Sequence, residues 1–65
     1  MFHPDGTTIL VSWRDGLILS GFDGYGNYFD VSVDHHTASR VGEKLCYVRT
    51  VTIVKKAGSW KVLDI

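Results

Sequence analysis

The stretch that decides the fold is residues 44–56, KLCYVRTVTIVKK. Its β-branched and aromatic residues suit a pleated, half-buried surface, and neither glycine nor proline interrupts it. An extended segment of this length exceeds an ordinary strand, so we expect it to bend, twist or carry a bulge, near Arg49. The stretch predicts the principal strand of a small antiparallel sheet.

Both faces of this predicted strand are apolar. One face carries Leu45, Tyr47, Val51 and Ile53, and the other carries Cys46, Val48 and Val54. A strand buried on both sides lies inside a sandwich, at a barrel corner or at a dimer interface. We therefore expect Val51→Asp to unfold the chain, and Val48→Asp chiefly to break a dimer.

Four further strands are predicted around it, at residues 7–14, 17–22, 28–34 and 60–65. Apolar and polar residues alternate in the first of them, which places Ile9, Val11 and Trp13 on one face. The dipeptide Asp15-Gly16 is a strong hairpin signal, and Gly21 indicates a bulge or the close approach of another backbone. Residues 35–43 form a polar connection that has room for one helical turn but is too short for a stable helix.

These elements predict an all-β fold in one domain, residues 1–65. The expected architecture is a five-stranded antiparallel meander, either as a strongly curved sheet or as a small SH3-like half-barrel. With 65 residues and a single cysteine, Cys46, the domain has no disulfide to stabilise it. We therefore expect it to form a homodimer, with a different protein as the alternative partner.

Charge and hydropathy bear on the class of partner. Seven basic and seven acidic residues cancel, and the one basic cluster is Lys55, Lys56 and Lys61. This balance argues against nucleic-acid binding, which usually requires a basic excess. The sequence has no apolar run of membrane-spanning length and no export signal, and its free cysteine fits a cytoplasmic location. No cofactor is predicted.

Alternation in the third strand predicts a polar row of Asp30, Ser32, Asp34 and His36. Such a row has the groups of a general base or an oxygen-rich cation site, and also those of an ordinary solvated face. Asp30, Asp34 and His36 are accordingly weak catalytic candidates. The neighbouring pair His35-His36 would point to opposite sides of a strand, so no metal site is predicted.

The glycine-rich loop at residues 21–27 is the other candidate site. A phosphate-binding loop would precede a helix, whereas a strand is predicted here, which favours a flexible hairpin tip. Its side chains are suited to contact with a sugar or a protein surface. The candidate contact residues are Phe22, Asp23, Tyr25 and Asn27. Trp13 and Trp60 are predicted to be core or interface anchors.

The end of the chain resembles the final hairpin of the NTF2-like (SnoaL-like) superfamily. The resemblance rests on residues 50–65, TVTIVKKAGSWKVLDI, and on the segment Phe2-His3-Pro4-Asp5-Gly6, which is similar to the entry of that family into its sheet. It covers the sheet portion alone, without the family's N-terminal helices. It implies a strongly curved antiparallel sheet and dimerisation through that sheet.

Three classes of function fit these observations. The first is a self-associating interaction module that acts through a sheet face or a hairpin loop. The second is an NTF2-like remnant that binds or converts a small apolar molecule in a pocket between subunits. The third is a small-barrel nucleic-acid binder. The sequence favours the first class and a role without catalysis.

Overall fold

The fold is one antiparallel sheet with a single helix on its concave side. The computed structural model describes residues 3–63. Along the chain these residues form β1 (Thr8–Asp15), β2 (Ile18–Phe22), β3 (Tyr28–Ser32), α1 (His35–Lys44), β4 (Val51–Lys56) and β5 (Ser59–Val62). The predicted five-stranded antiparallel sheet is confirmed.

The strand order in the sheet is β3-β2-β1-β4-β5. A simple meander would place β4 beside β3, but α1 carries the chain across the sheet and β4 pairs with β1 instead. The longest strand, β1, is therefore at the centre, and β3 and β5 are the two edges.

The sheet is strongly curved. The His3 ring lies 4.9 Å from the Phe29 ring on β3 and 5.5 Å from the Trp60 ring on β5, and these strands are opposite edges of the sheet. One imidazole reaches both edges only if the sheet curls around it. The two edges do not pair in the described part of the chain, so the sheet forms a half-barrel without closing.

The hydrophobic core fills the concave side, which we call the inner face. Strand residues on this face pack with Val41 of α1, and the strands contribute Ile9, Val11, Leu19, Val31, Val51, Ile53 and Trp60. Because α1 supplies the cover of the inner face, the convex outer face of the sheet is left without one.

A β-bulge in β1 determines which side chains face the core. Val11 pairs with Gly21, and the next pair is Trp13 with Ser20, so Ser12 is an extra residue. The extra residue reverses the alternation, and Trp13 reaches the outer face with 65% of its surface exposed. The prediction that Trp13 shares a buried face with Ile9 and Val11 is wrong for this reason.

Gly21 makes the close backbone approach that the sequence indicated. A Cβ atom at this position would overlap the carbonyl oxygen of Leu10 on β1. The two strands come this close beside the bulge, and only glycine leaves room for it.

The principal strand is shorter than predicted, because only Val51–Lys56 of the segment 44–56 is β-structure. Hydrogen bonds from the backbone N–H groups of Leu45, Tyr47 and Val48 to carbonyls of α1 turn the chain into a loop. Cys46, Tyr47 and Val48 are exposed there. The bulge expected near Arg49 is therefore wrong, and the bulge of this sheet is at Ser12.

The helix was not predicted. Strand β3 ends at Ser32 instead of residue 34, and α1 occupies the connection expected to be irregular. The Asp34 carboxylate caps the helix by accepting a hydrogen bond from the Thr37 backbone N–H at 2.6 Å. Ala38 and Val41 are fully buried against the sheet, and tertiary packing of this kind stabilises helices too short to persist alone.

The β4–β5 hairpin forms at the predicted turn. Lys56 pairs with Ser59 across Ala57 and Gly58, whose φ angles are 51° and 78°. The Asp5 carboxylate accepts hydrogen bonds from both turn N–H groups, at 3.1 and 3.3 Å. Residues 64 and 65, the end of the predicted last strand, and Phe2 of the family resemblance lie outside the described residues.

Candidate functional site

An exposed apolar row crosses the whole outer face of the sheet. Cross-strand pairs join Tyr28 to Phe22, Phe22 to Leu10 and Leu10 to Thr52, and the Leu63 backbone N–H donates to the Thr52 carbonyl at 2.9 Å. We call Tyr28, Phe22, Leu10, Thr52 and Leu63 the outer row. Its four large side chains are between 39% and 58% exposed.

Further apolar side chains on the outer face extend this surface. Trp13 and Ile18 are 65% and 40% exposed, and their register with β2 and β3 places them on the same side as the outer row. Folding alone does not explain this arrangement, because a half-buried sheet usually turns polar side chains to water. Contiguous exposed apolar patches are typical of interaction sites.

The outer row ends in a groove of 440 Å³ beside the loop that follows α1. The groove is lined by Tyr47, Val48, Thr52 and Leu63, with Lys44, Thr50, Val51 and Val62 around them. The outer row and the groove therefore form one continuous surface, and they share Thr52 and Leu63.

Two members of the predicted polar row, Asp30 and Ser32, lie on the outer face near the apolar side chains, and Ser32 pairs with Ile18. The Ser20 hydroxyl donates a hydrogen bond to the Asp30 carboxylate at 2.5 Å. Asp30 is exposed at the β3 edge. The neutral Ser20 hydroxyl therefore bonds to one oxygen of the Asp30 carboxylate.

The predicted polar row is not formed, because β3 ends before it is complete. Asp34 is the N-cap of α1, and the Thr37 N–H lowers the pKa of the Asp34 carboxyl. His36 is exposed in the first turn of the helix. Asp34 and His36 face a groove shared with Arg40 and Lys61, apart from Asp30 on the sheet. The three weak catalytic candidates therefore do not share a strand face.

The loop after β2 is organised by Asp23. Its carboxylate accepts hydrogen bonds from the backbone N–H groups of Tyr25 and Asn27, both at 2.9 Å, and from the Asn27 side-chain amide at 3.1 Å. The bond from the Asn27 backbone is the main cause that lowers the pKa of Asp23. A loop bonded in this way differs from the flexible tip expected from its glycines.

The predicted contact residues fall into two groups. Phe22 belongs to the outer row, where its ring meets that of Tyr28 edge to face at 5.5 Å. Tyr25 projects from the loop with 93% of its surface exposed. Asp23 and Asn27 bond to each other and hold the loop. Leu10, Ile18 and Leu63 were not candidates, although strict alternation beside the buried Ile9 was a signal for Leu10.

The basic cluster of the sequence does not form a single patch. Lys55 pairs with Trp60 and its ammonium lies 5.3 Å from the Trp60 ring centroid, on the inner side. Lys61 pairs with Val54 on the outer side. Opposite faces of the sheet therefore separate two of the three lysines.

The potential metal ligands are also dispersed. Within residues 3–63, no three side chains of His, Cys, Asp or Glu lie close enough together to hold an ion. Cys46 is exposed in the loop after α1. Over the same residues, α1 is neither long enough nor apolar enough to cross a bilayer.

Comparison with known proteins finds no matching family model, no matching curated protein and no matching solved structure. The site must therefore be interpreted from its own geometry.

Proposed function

We propose that this chain is a small interaction module that self-associates through the outer face of its sheet. The observation that carries the proposal is the outer row, which crosses the sheet from β3 to the residue after β5. Four of its five members are large exposed hydrophobic side chains, and α1 does not cover them. A small domain without a disulfide gains most from burying such a surface. With a formal net charge of zero, two copies do not repel each other through their overall charge.

The test is the mass in solution, measured by light scattering over a range of protein concentrations. We expect the wild type to approach the mass of a dimer as its concentration rises. Phe22→Lys places a charge in the middle of the outer row, and because Phe22 is 46% exposed the substitution leaves the core intact. This variant should remain monomeric, with an unchanged far-ultraviolet circular dichroism spectrum.

Tyr25→Lys is the matched control, since Tyr25 is more exposed but lies in the loop, away from the outer row. It should dimerise like the wild type. If Tyr25→Lys abolishes the dimer and Phe22→Lys does not, the contact is the hairpin loop and the sheet-face proposal is wrong. A wild type that is monomeric at every concentration would also contradict it.

The groove beside the outer row supports a second candidate function, the binding of a small apolar molecule between two copies. A second sheet on the outer row would cover the groove at Thr52 and Leu63 and exclude water from it. An apolar fluorescent dye should then bind to the dimer and lose its site in Val48→Lys. Equal dye binding by the monomeric Phe22→Lys variant would show that no site between subunits exists.

A further inference from the structure

The two edges of the sheet differ in what they leave unpaired. At the β5 edge, α1 packs alongside, and the Thr37 hydroxyl donates a hydrogen bond to the Trp60 carbonyl at 3.3 Å. Trp60 is buried with 7% exposure. The chain therefore partly covers its own β5 edge.

At the β3 edge the His3 ring lies 4.9 Å from the Phe29 ring on the inner side, but residues 3–63 supply no hydrogen bond to the outward backbone groups of the strand. Two hydrogen bonds flank β3: the Val33 N–H donates to the Leu17 carbonyl, and the Asp23 N–H donates to the Asn27 carbonyl. The odd-numbered residues of this segment therefore direct their backbone groups toward β2. The β2–β3 register has no irregularity, and backbone direction alternates along a strand. Tyr28, Asp30 and Ser32 consequently direct their N–H and C=O groups away from the sheet.

These outward groups have no hydrogen-bond partner in the described chain, residues 3–63. The side chains of Tyr28, Asp30 and Ser32 are all exposed. Ser32 also lines a groove of 310 Å³ that β3 shares with Ser59 and Trp60 of β5. An open edge of this kind pairs readily with another extended chain.

A second copy of this chain does not suit the edge. The antiparallel register that would engage all three outward residues pairs Tyr28 with Ser32 of the other copy and Asp30 with its own counterpart. Like charges directly opposite each other destabilise a sheet. The same position favours a lysine or arginine on an added strand, because Asp30 keeps one carboxylate oxygen outside its bond to Ser20.

We propose that β3 is an acceptor edge for an extended segment of a different protein. The segment adds antiparallel to β3 and places a lysine or arginine opposite Asp30. Its inward side chains enter the gap between the β3 and β5 edges, where they meet the His3 ring beside Phe29. This inference does not depend on self-association through the outer row, since the edge and the face are separate surfaces.

The probe is a capped peptide of sequence Thr-Val-Lys-Val-Thr, added to the isotope-labelled protein while amide hydrogen exchange is followed by NMR. At saturation the exchange of the Tyr28, Asp30 and Ser32 amides should slow, whereas the Phe29 and Val31 amides, already bonded to β2, should not change. The peptide Thr-Val-Glu-Val-Thr should bind about fivefold more weakly, the ratio expected for one cross-strand charge pair.

Two variants make the test specific. Asp30→Lys should reverse the preference between the lysine and glutamate peptides. Ser32→Pro removes an outward N–H while leaving the ladder to β2 intact, so it should weaken binding without unfolding the protein. The monomeric Phe22→Lys variant should bind the peptide like the wild type.

The proposal is wrong if the three amides stay unprotected up to millimolar peptide. It is equally wrong if Ser32→Pro binds the peptide as tightly as the wild type, or if Asp30→Lys leaves the peptide preference unchanged. A wild type that is monomeric at every concentration would overturn the proposed function but would not affect peptide binding at β3. The two failures are therefore distinguishable.

Discussion

Gly21 is the residue that makes the bulge in β1 compatible with close packing against β2. It pairs with Val11 at the point where the register shifts, and its missing side chain leaves space for the Leu10 carbonyl. The bulge in turn exposes Trp13. One small residue on β2 therefore helps to decide which face of β1 carries a tryptophan.

We expect Gly21→Ala to lower the free energy of unfolding by about 1–3 kcal/mol, the usual range for overpacking. The added methyl group would meet backbone atoms of β1, which cannot move aside as a flexible side chain does. Urea denaturation measures the change.

Gly24→Ala is the control for this prediction. A Cβ atom at Gly24 would have no neighbour within 4 Å. The control should therefore unfold near the wild-type midpoint, and equal stability of both variants would refute the role assigned to Gly21.

The sequence indicated the special position of Gly21 but not its effect on Trp13. Alternation predicts faces correctly until an extra residue enters the strand, after which every assignment is reversed. The extra residue, Ser12, has no local signature, because the bulge arises from how β1 meets its neighbour.

At the scale of elements, α1 shows why composition alone was misleading. The segment 35–43 is polar and short, yet Ala38, Val41 and Leu45 are spaced to lie on one side of a helix. Together with the capping residue Asp34, this spacing was the available signal. Residues 45–50 led to the opposite error, in which a loop was predicted to be a strand. Their side chains favour a strand, but no neighbouring strand pairs with them.

Asp34→Ala should destabilise the protein, and the loss should depend on pH. The Thr37 N–H lowers the pKa of Asp34 in the folded state below its ordinary value of 3.8. The charged cap therefore contributes its full stability above about pH 4, and this contribution is lost as the pH falls through the folded pKa. Urea denaturation at several pH values should show the wild type and the variant converging in acid.

Asp34→Asn keeps a capping oxygen but has no charge to titrate. It should unfold between the other two proteins at neutral pH. A difference between wild type and Asp34→Ala that stays constant from pH 6 to pH 2 would contradict the assignment of this effect to the carboxylate.

For the whole molecule, the sequence predicted the all-β sheet and most strand positions, because these follow from local alternation and turn residues. The meander order predicted for these strands is wrong for β4, which pairs with β1 instead of β3. The observed order depends on α1 carrying the chain across the inner face, and the helix was missed. The candidate contact residue Phe22 lies on the exposed face, whereas the polar row depended on a strand that ends early.

Val51 and Val48 are three residues apart in the sequence, but Val51 lies in the core and Val48 on the surface. Val51 is 5% exposed and pairs with Val11, so Val51→Asp buries a charge and should cost about 4 kcal/mol or more, enough to unfold a domain of this size. Val48 is 51% exposed in the loop after α1. Circular dichroism melting should show no folded state for Val51→Asp and a wild-type melting temperature for Val48→Asp.

The link drawn from the sequence between Val48 and a dimer rested on a strand face, but Val48 lies in the loop after α1 and belongs to no strand. A cooperative melt by Val51→Asp would refute the core described above. A failure of Val48→Asp to fold would show that the loop contributes more to stability than its exposure indicates.

The pairing of β1 with β4 has a consequence for how fast the chain reaches this fold. Ile9 pairs with Ile53, and the Asp5 carboxylate reaches the turn at Ala57 and Gly58, so decisive contacts join distant parts of the sequence. The hairpins of β1, β2 and β3 can form early, but the concave side stays open until β4 arrives. Folding should therefore be limited by the entropy of closing a long loop, and its rate should resemble that of barrels with high contact order.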